Sequence, residues 1–150
     1  MAASTIYLCF HDSTLYQSDL VTFAEGNWLN DHSILFAYEY FLRVEFKDCG
    51  DDVLFVHPAN TLILQYGDDE DFTNLSEGLR FESRKVVFIP VNNSLNDQLN
   101  KGTHWSLLVY VKSANKFLHF DSMGAASMNQ QAAASIVQNL RTHVYPGATY

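Results

Sequence analysis

Among the groups in this 150-residue chain that could move a proton, His104 and Asp121 are singled out by their setting. His104 leads into Trp105-Ser106-Leu107-Leu108-Val109-Tyr110-Val111, an aliphatic and aromatic run entered from Gly102-Thr103, which reads as a strand leaving a loop. Phe117-Leu118-His119-Phe120 alternates toward Asp121, and Ser113-Ala114-Asn115-Lys116 between the runs suits a turn. An antiparallel hairpin brings its outer ends together. An even-length loop pairs residues whose numbers sum to an odd value, so His104 and Asp121 fall on one face at one edge of the sheet, as diagonal neighbours or somewhat further apart. An imidazole held by a carboxylate is the orienting half of a catalytic triad, in which the acid fixes the tautomer and stabilises the imidazolium. A structural His–Asp hydrogen bond would look the same at this level.

The other candidates for chemistry are weaker. His119 points to the same face as Asp121 and competes for its carboxylate. Cys9 sits in the apolar run Ile6-Tyr7-Leu8-Cys9-Phe10, which predicts an inert structural thiol, and Cys49 follows a long helix. His11, His32, His57, His119 and His143 have no metal-ligand spacing such as a pair one helical turn apart, so no metal is expected. Gly67 and Gly124 form no phosphate loop. Trp28 and Trp105, taken alone, read as large, partly buried core residues.

The elements that position these groups predict an α+β domain with a central antiparallel sheet containing 85–91, 104–111 and 117–121. A strand is expected over Ile6–Phe10, then a polar loop from His11 to Asp19 with a strand or turn near Leu15-Tyr16. Asn30 is a good N-cap, and Ile34, Leu35, Tyr38, Phe41 and Leu42 recur at helical spacing, predicting a helix over 31–47. Val53–Val56 is strand-like. Pro58 suits a helix start continuing through Thr61–Tyr66 to a C-cap at Gly67. Asp68-Asp69-Glu70-Asp71 reads as a solvated helix start, with a contact for a basic partner as the alternative, and a third short helix is expected over 71–78. In the strand over 85–91, Pro90 is tolerable only near its end or where its missing N–H faces no neighbour. Asn92–Thr103 is polar and reads as a mobile loop, and 130–143 as a last helix ended by Pro146-Gly147. Covering helices near 31–47 and 130–143 complete one domain over 1–150, with no linker, repeat or low-complexity tract.

Hydrophobic residues make up 47% and charged residues 17%, which excludes a disordered chain. The formal charge of −8 argues against nucleic acid or an anionic membrane surface as partner and suits a segment bearing arginine or lysine. Two cysteines and no basic, apolar leader predict the cytoplasm or nucleus, with both thiols reduced.

His104-Trp105-Ser106 with its apolar strand, and Phe120-Asp121-Ser122-Met123-Gly124, resemble the histidine and aspartate motifs of the ubiquitin-like-modifier cysteine proteases, papain-like enzymes that remove SUMO and Nedd modifiers. Trp28-Leu29-Asn30-Asp31, opening the first long helix, is similar to that family's upstream signature. Asp12-Ser13, Gln17-Ser18-Asp19, Glu39-Tyr40-Phe41 and Asp48-Cys49 most resemble its deneddylating, sentrin-specific branch. The resemblance runs in order, with ordinary spacings, from Ile6 to Ser122. It implies a papain-like fold, with His104 as the base and Asp121 as the orienting acid. It also implies Trp28 and Trp105 flanking a narrow tunnel that only a Gly-Gly tail can thread, with Asp31 against that tail. The implied partner is a ubiquitin-like modifier and its conjugates, of Nedd type first and SUMO or ubiquitin next; no cofactor is implied.

The family carries its nucleophile in a Gln…Asp-Cys-Gly segment beyond the aspartate, and no cysteine follows Asp121 here. The expectation is therefore a deneddylating isopeptidase domain truncated at its C-terminus. It lacks the thiol and the oxyanion glutamine, and is inactive as given. A modifier-binding pseudo-protease is the alternative, and an unrelated α+β domain the third reading.

Overall fold

The computed structural model describes residues 5–94 and 102–150, arranged as two compact units, 1–50 and 51–150. Most of the Asn92–Thr103 loop expected from sequence lies outside the described residues.

In the first unit, β1 (Ile6–Phe10) and β2 (Ser13–Tyr16) form an antiparallel hairpin that turns through His11 in a left-handed conformation (φ 50°). A 3-10 segment, Gln17–Phe23, leads towards α1 (Asp31–Tyr40). Asn30 caps α1 as its residue type predicts, its Oδ1 accepting from the Ser33 N–H at 3.0 Å, and Asp31 sits in the first turn where its charge suits the dipole. The helix packs on the hairpin through Phe10 against Phe36, ring centres 5.9 Å apart. It is shorter than the expected 31–47. From Phe41 to Glu45 the ladder widens to a π-helical turn, closed by the Phe46 N–H on the Phe41 carbonyl at 2.7 Å. A 3-10 segment, Lys47–Asp52, follows, broken at Gly50 (φ 51°), a conformation that favours glycine. β1 is exposed along nearly its whole length, so Cys9 is not a core thiol; its Sγ lies 3.7 Å from Thr14 Oγ1.

The second unit is built on a four-stranded sheet in the order β3 (Val53–Phe55), β4 (Val86–Asn92), β5 (Trp105–Val111), β6 (Lys116–Phe120). β3 runs parallel to β4 and the rest are antiparallel. Pro90 fits because β3 pairs with β4 only as far as Phe88. Beyond it, the Pro90 carbonyl accepts from the Thr61 hydroxyl at 2.8 Å, so the side of the strand without an N–H meets a side chain instead of a strand. The β5–β6 turn uses Asn115 in the left-handed region (φ 44°), its Oδ1 accepting from the Tyr110 hydroxyl at 2.9 Å.

One face of this sheet carries Val87, Ile89, Val91, Leu108, Tyr110 and Phe117. These bury against α4 (Gln130–His143), whose Ala132, Ala133, Ile136, Val137 and Leu140 recur at helical spacing. Tyr145 stacks on Tyr110, ring centres 3.8 Å apart, and its hydroxyl donates to the Phe81 carbonyl. A 3-10 turn (Pro58–Asn60) precedes α2 (Thr61–Tyr66), and α3 (Asp69–Leu79) follows. The acidic run at 68–71 is a reciprocal cap: Asp68 accepts from the Asp71 N–H and Asp71 accepts from the Asp68 N–H. Gly67 is needed for closeness, since its backbone is extended but an added Cβ would stand 2.6 Å from the Ile63 carbonyl oxygen.

Candidate active site at the sheet edge

In the β5–β6 ladder Leu107 opposes Phe120 and Val111 opposes Lys116, so every pair sums to an odd number. His104 and Asp121, just outside the ends of their strands, are diagonal neighbours on the face that α4 covers. His104 Nε2 lies 2.7 Å from Asp121 Oδ1, and both side chains are 5% exposed. With Nε2–H donated to the carboxylate, the neutral ring keeps its lone pair on Nδ1. That is the nitrogen left to take a proton from a nucleophile and pass it to a leaving group.

Asp121 is held from three sides. Beside His104, the Met123 N–H donates to Oδ1 at 2.8 Å and the Ser127 hydroxyl donates to Oδ2 at 2.6 Å. Burial pushes this carboxyl up, but the hydrogen bonds from Ser127, Met123 and His104 outweigh it and hold it down at about 2. It is therefore a fixed anion at neutral pH. His104 is fixed at its backbone as well, its N–H donating to Asn93 Oδ1 at 3.1 Å and its carbonyl accepting from Asn129 Nδ2 at 3.3 Å. Gly102 passes so close to Asn92 that any Cβ there would collide with that side chain.

His119 does not take the Asp121 carboxylate, as its place on the same face suggested it could. Its Nε2 lies 2.8 Å from Ser106 Oγ instead, and the carboxylate is already filled. Burial pushes the His119 imidazole down, with Asp121 opposing and His104 reinforcing that shift.

The residues expected to bind a modifier tail fall in both units. Trp105 begins β5 directly after His104 and is half-buried. Trp28 is 64% exposed, too open for the core role its type alone suggests, and Asp31 lies three residues on, in the first turn of α1. Among the described residues no group of three or more His, Cys, Asp or Glu could hold a metal ion. Ser127 and Asn129, which knit the pair to α4, carry no mark in the sequence. Serine and asparagine are common, and these are brought to the pair only by the fold.

No family model matches the chain. Its fold is that of the Ulp1 protease domain. The structure of that domain in complex with Smt3, the yeast ortholog of SUMO, superposes with a TM-score of 0.68 over 96% of this chain and 60% of that one, at 18% identity. Among curated proteins, sentrin-specific protease 8 of Rattus norvegicus is 42% identical over 118 residues, covering 78% of this chain and 54% of the relative. NEDD8-specific protease 1 of Arabidopsis thaliana is 31% identical over 117 residues, covering 77% and 50%. The chain belongs to the sentrin-specific (Ulp1-type) family of cysteine proteases. It spans about half the length of the curated relatives it matches.

Proposed function

We propose that the chain provides the base and orienting acid of a deneddylating cysteine protease, one that recognises the Gly-Gly tail of a Nedd-type modifier and cleaves after it. The observation that carries this reading is the buried 2.7 Å contact between His104 Nε2 and Asp121 Oδ1. In the proposed reaction a cysteine thiolate attacks the carbonyl after the second glycine. His104 Nδ1 takes the thiol proton and delivers it to the departing amine, while Asp121 keeps the ring in one tautomer and stabilises the imidazolium. The family resemblance assigns Trp28, Trp105 and Asp31 to the recognition of the Gly-Gly tail. The exposure of the Trp28 indole and the position of Trp105 beside His104 support these roles. The name of the Arabidopsis relative favours a Nedd-type modifier, with SUMO and ubiquitin as the next choices. A working thiolate suits a reducing compartment such as the cytoplasm or nucleus.

The unit holding the pair, 51–150, has no cysteine, and we assign the nucleophile to neither Cys9 nor Cys49. The 150 residues alone then bind a modifier without turning it over, because loss of the nucleophile costs on the order of a million-fold in a comparable triad enzyme. The same observation favours a second reading, a modifier-binding protein without catalysis. A Nedd-type modifier carrying a C-terminal fluorogenic amide separates them. It is incubated with the chain and with the chain extended by a family Gln…Asp-Cys-Gly segment. Release by the extended form alone, abolished by His104→Ala, supports the protease. Tight binding without release by either form supports the second reading. Release by the unextended chain that disappears on changing Cys9 or Cys49 overturns the assignment of the nucleophile.

A further inference from the structure

Behind the pair lies a short segment whose polar groups are turned to an unusual task. Asn129 precedes α4 at the N-cap position, where asparagine ordinarily caps the first turn, yet its side chain makes no capping bond. It turns inward, fully buried, and its Nδ2 serves three acceptors: Ser106 Oγ at 2.8 Å, the Val91 carbonyl at 2.9 Å and the His104 carbonyl at 3.3 Å. Its Oδ1 is buried with no hydrogen-bond partner among the described residues, a cost that local helix formation does not require. Two residues earlier, Ser127 Oγ accepts the Asn129 N–H at 3.1 Å and donates its own proton to Asp121 Oδ2 at 2.6 Å.

We propose that Ser127 is a positioning residue of the His104–Asp121 pair, aiming the carboxylate through a hydroxyl that is itself oriented by the Asn129 backbone. The proposal rests on reading that pair as base and orienting acid. The His104 and Met123 donors both address Oδ1 and leave Oδ2 to another partner. Among the described residues Ser127 is the donor to Oδ2, and holding the second oxygen adds to the restraint on the carboxylate plane. A hydroxyl is required because the group must accept from one partner and donate to the other at once. Serine supplies it with a small side chain, and threonine can supply the same atom.

The test is a carbon-detected NMR titration of the Asp121 carboxyl in the intact 150-residue chain, alongside Ser127→Ala and Ser127→Thr. Asp121 is faced by His104 and lies in the field of His119, so both rings are followed in the same spectra. The wild-type midpoint is expected at about 2. Ser127→Ala should raise it by about one pH unit through loss of one hydrogen bond to the charged form, and Ser127→Thr should restore it. A merely structural serine would lower the melting temperature and leave the midpoint in place. Should the alanine variant not fold, Ser127→Val against Ser127→Thr reads the same hydroxyl at constant shape. An unchanged midpoint in the folded alanine or valine variant overturns the proposal, as does a threonine variant that titrates like alanine. The titration uses neither substrate nor thiol, so failure of the chain to act on a modifier bears on the proposed function and leaves this result standing.

Discussion

Two of the His–Asp pairs among the described residues, His32–Asp19 in the first unit and His104–Asp121 in the second, differ in almost every respect that decides what such a pair can do. In the 5–50 region Asp19 is buried and accepts from the Tyr16 N–H at 2.8 Å, Asn30 Nδ2 at 2.7 Å and His32 Nδ1 at 3.2 Å. Burial raises this carboxyl and the three donors outweigh it, so its net shift is downward. Its histidine, however, is half exposed to water. The arrangement ties the 3-10 segment to the start of α1, and the imidazole is one strand of that tie. In the 51–150 region both partners are almost fully buried, the contact is 0.5 Å shorter than the 3.2 Å of the other pair, and the ring is engaged through its other nitrogen. A carboxylate can hold an imidazole anywhere. It prepares one for proton transfer where the ring is buried, held by its backbone, and keeps a lone pair on its other nitrogen.

The surroundings follow the same division. Leu15 is the lone fully buried apolar side chain among the described residues of 5–50, whereas the second unit buries a continuous core between its sheet and α4. Breaking each pair should therefore have unequal consequences. Asp121→Ala leaves a buried imidazole N–H without its acceptor and should destabilise the second unit by roughly 1–3 kcal/mol. Urea unfolding followed through amide signals of each unit checks this, and a loss below about 1 kcal/mol would put the two pairs on an equal footing.

A smaller effect is expected in acid. The Asp121 carboxyl sits near 2 in the fold against 3.8 when free, so its contribution is present above 3.8 and is lost as the pH falls towards 2. Asp19 acts in the same direction in its own unit. Asp121→Asn should lower stability at neutral pH and flatten its fall between 3.8 and 2 in the second unit. An equally steep fall would assign the acid sensitivity elsewhere.

His119 gives a smaller change still. Its folded value lies below 6.5, so the fold favours the neutral ring, and its contribution, complete above 6.5, fades as the pH falls through the folded value. His119→Gln should remove that loss from a stability profile taken through this range; a profile that keeps it points to another histidine. Smallest of all, His32→Gln should cost less than about 1 kcal/mol, as exposed pairs do. A larger cost in urea unfolding of the first unit would show that the Asp19 network depends on its imidazole.

How far the sequence revealed this depended on whether the information was local. The parity of a four-residue turn placed His104 and Asp121 on one face. The alanine-rich stretch at 130–143 matched α4 from Gln130 to His143, and Asn30 and Pro58 marked helix starts. The parallel pairing of β3 with β4 left no local trace, because the strands lie about thirty residues apart and no turn sets their register. The π-helical turn after Tyr40 was hidden for a different reason: Phe41 and Leu42 continue a helical stripe, which does not distinguish one ladder spacing from another. At the site, His104 and Asp121 were visible because their types are chemically distinctive. Ser127 and Asn129 were not, since their roles rest on atoms delivered by a loop and a helix start.

The most direct test of the account is the protonation site of the His104 and His32 rings, read from their side-chain 15N shifts in the 150-residue chain at a pH well above the ordinary imidazole range. The geometry predicts opposite tautomers: His104 carrying its proton on Nε2 toward Asp121, and His32 carrying its proton on Nδ1 toward Asp19. In Asp121→Asn the His104 tautomer should become mixed while that of His32 stays as it was. His104 protonated on Nδ1, or unmoved by loss of the Asp121 carboxylate, would contradict its assignment as a base prepared by its acid.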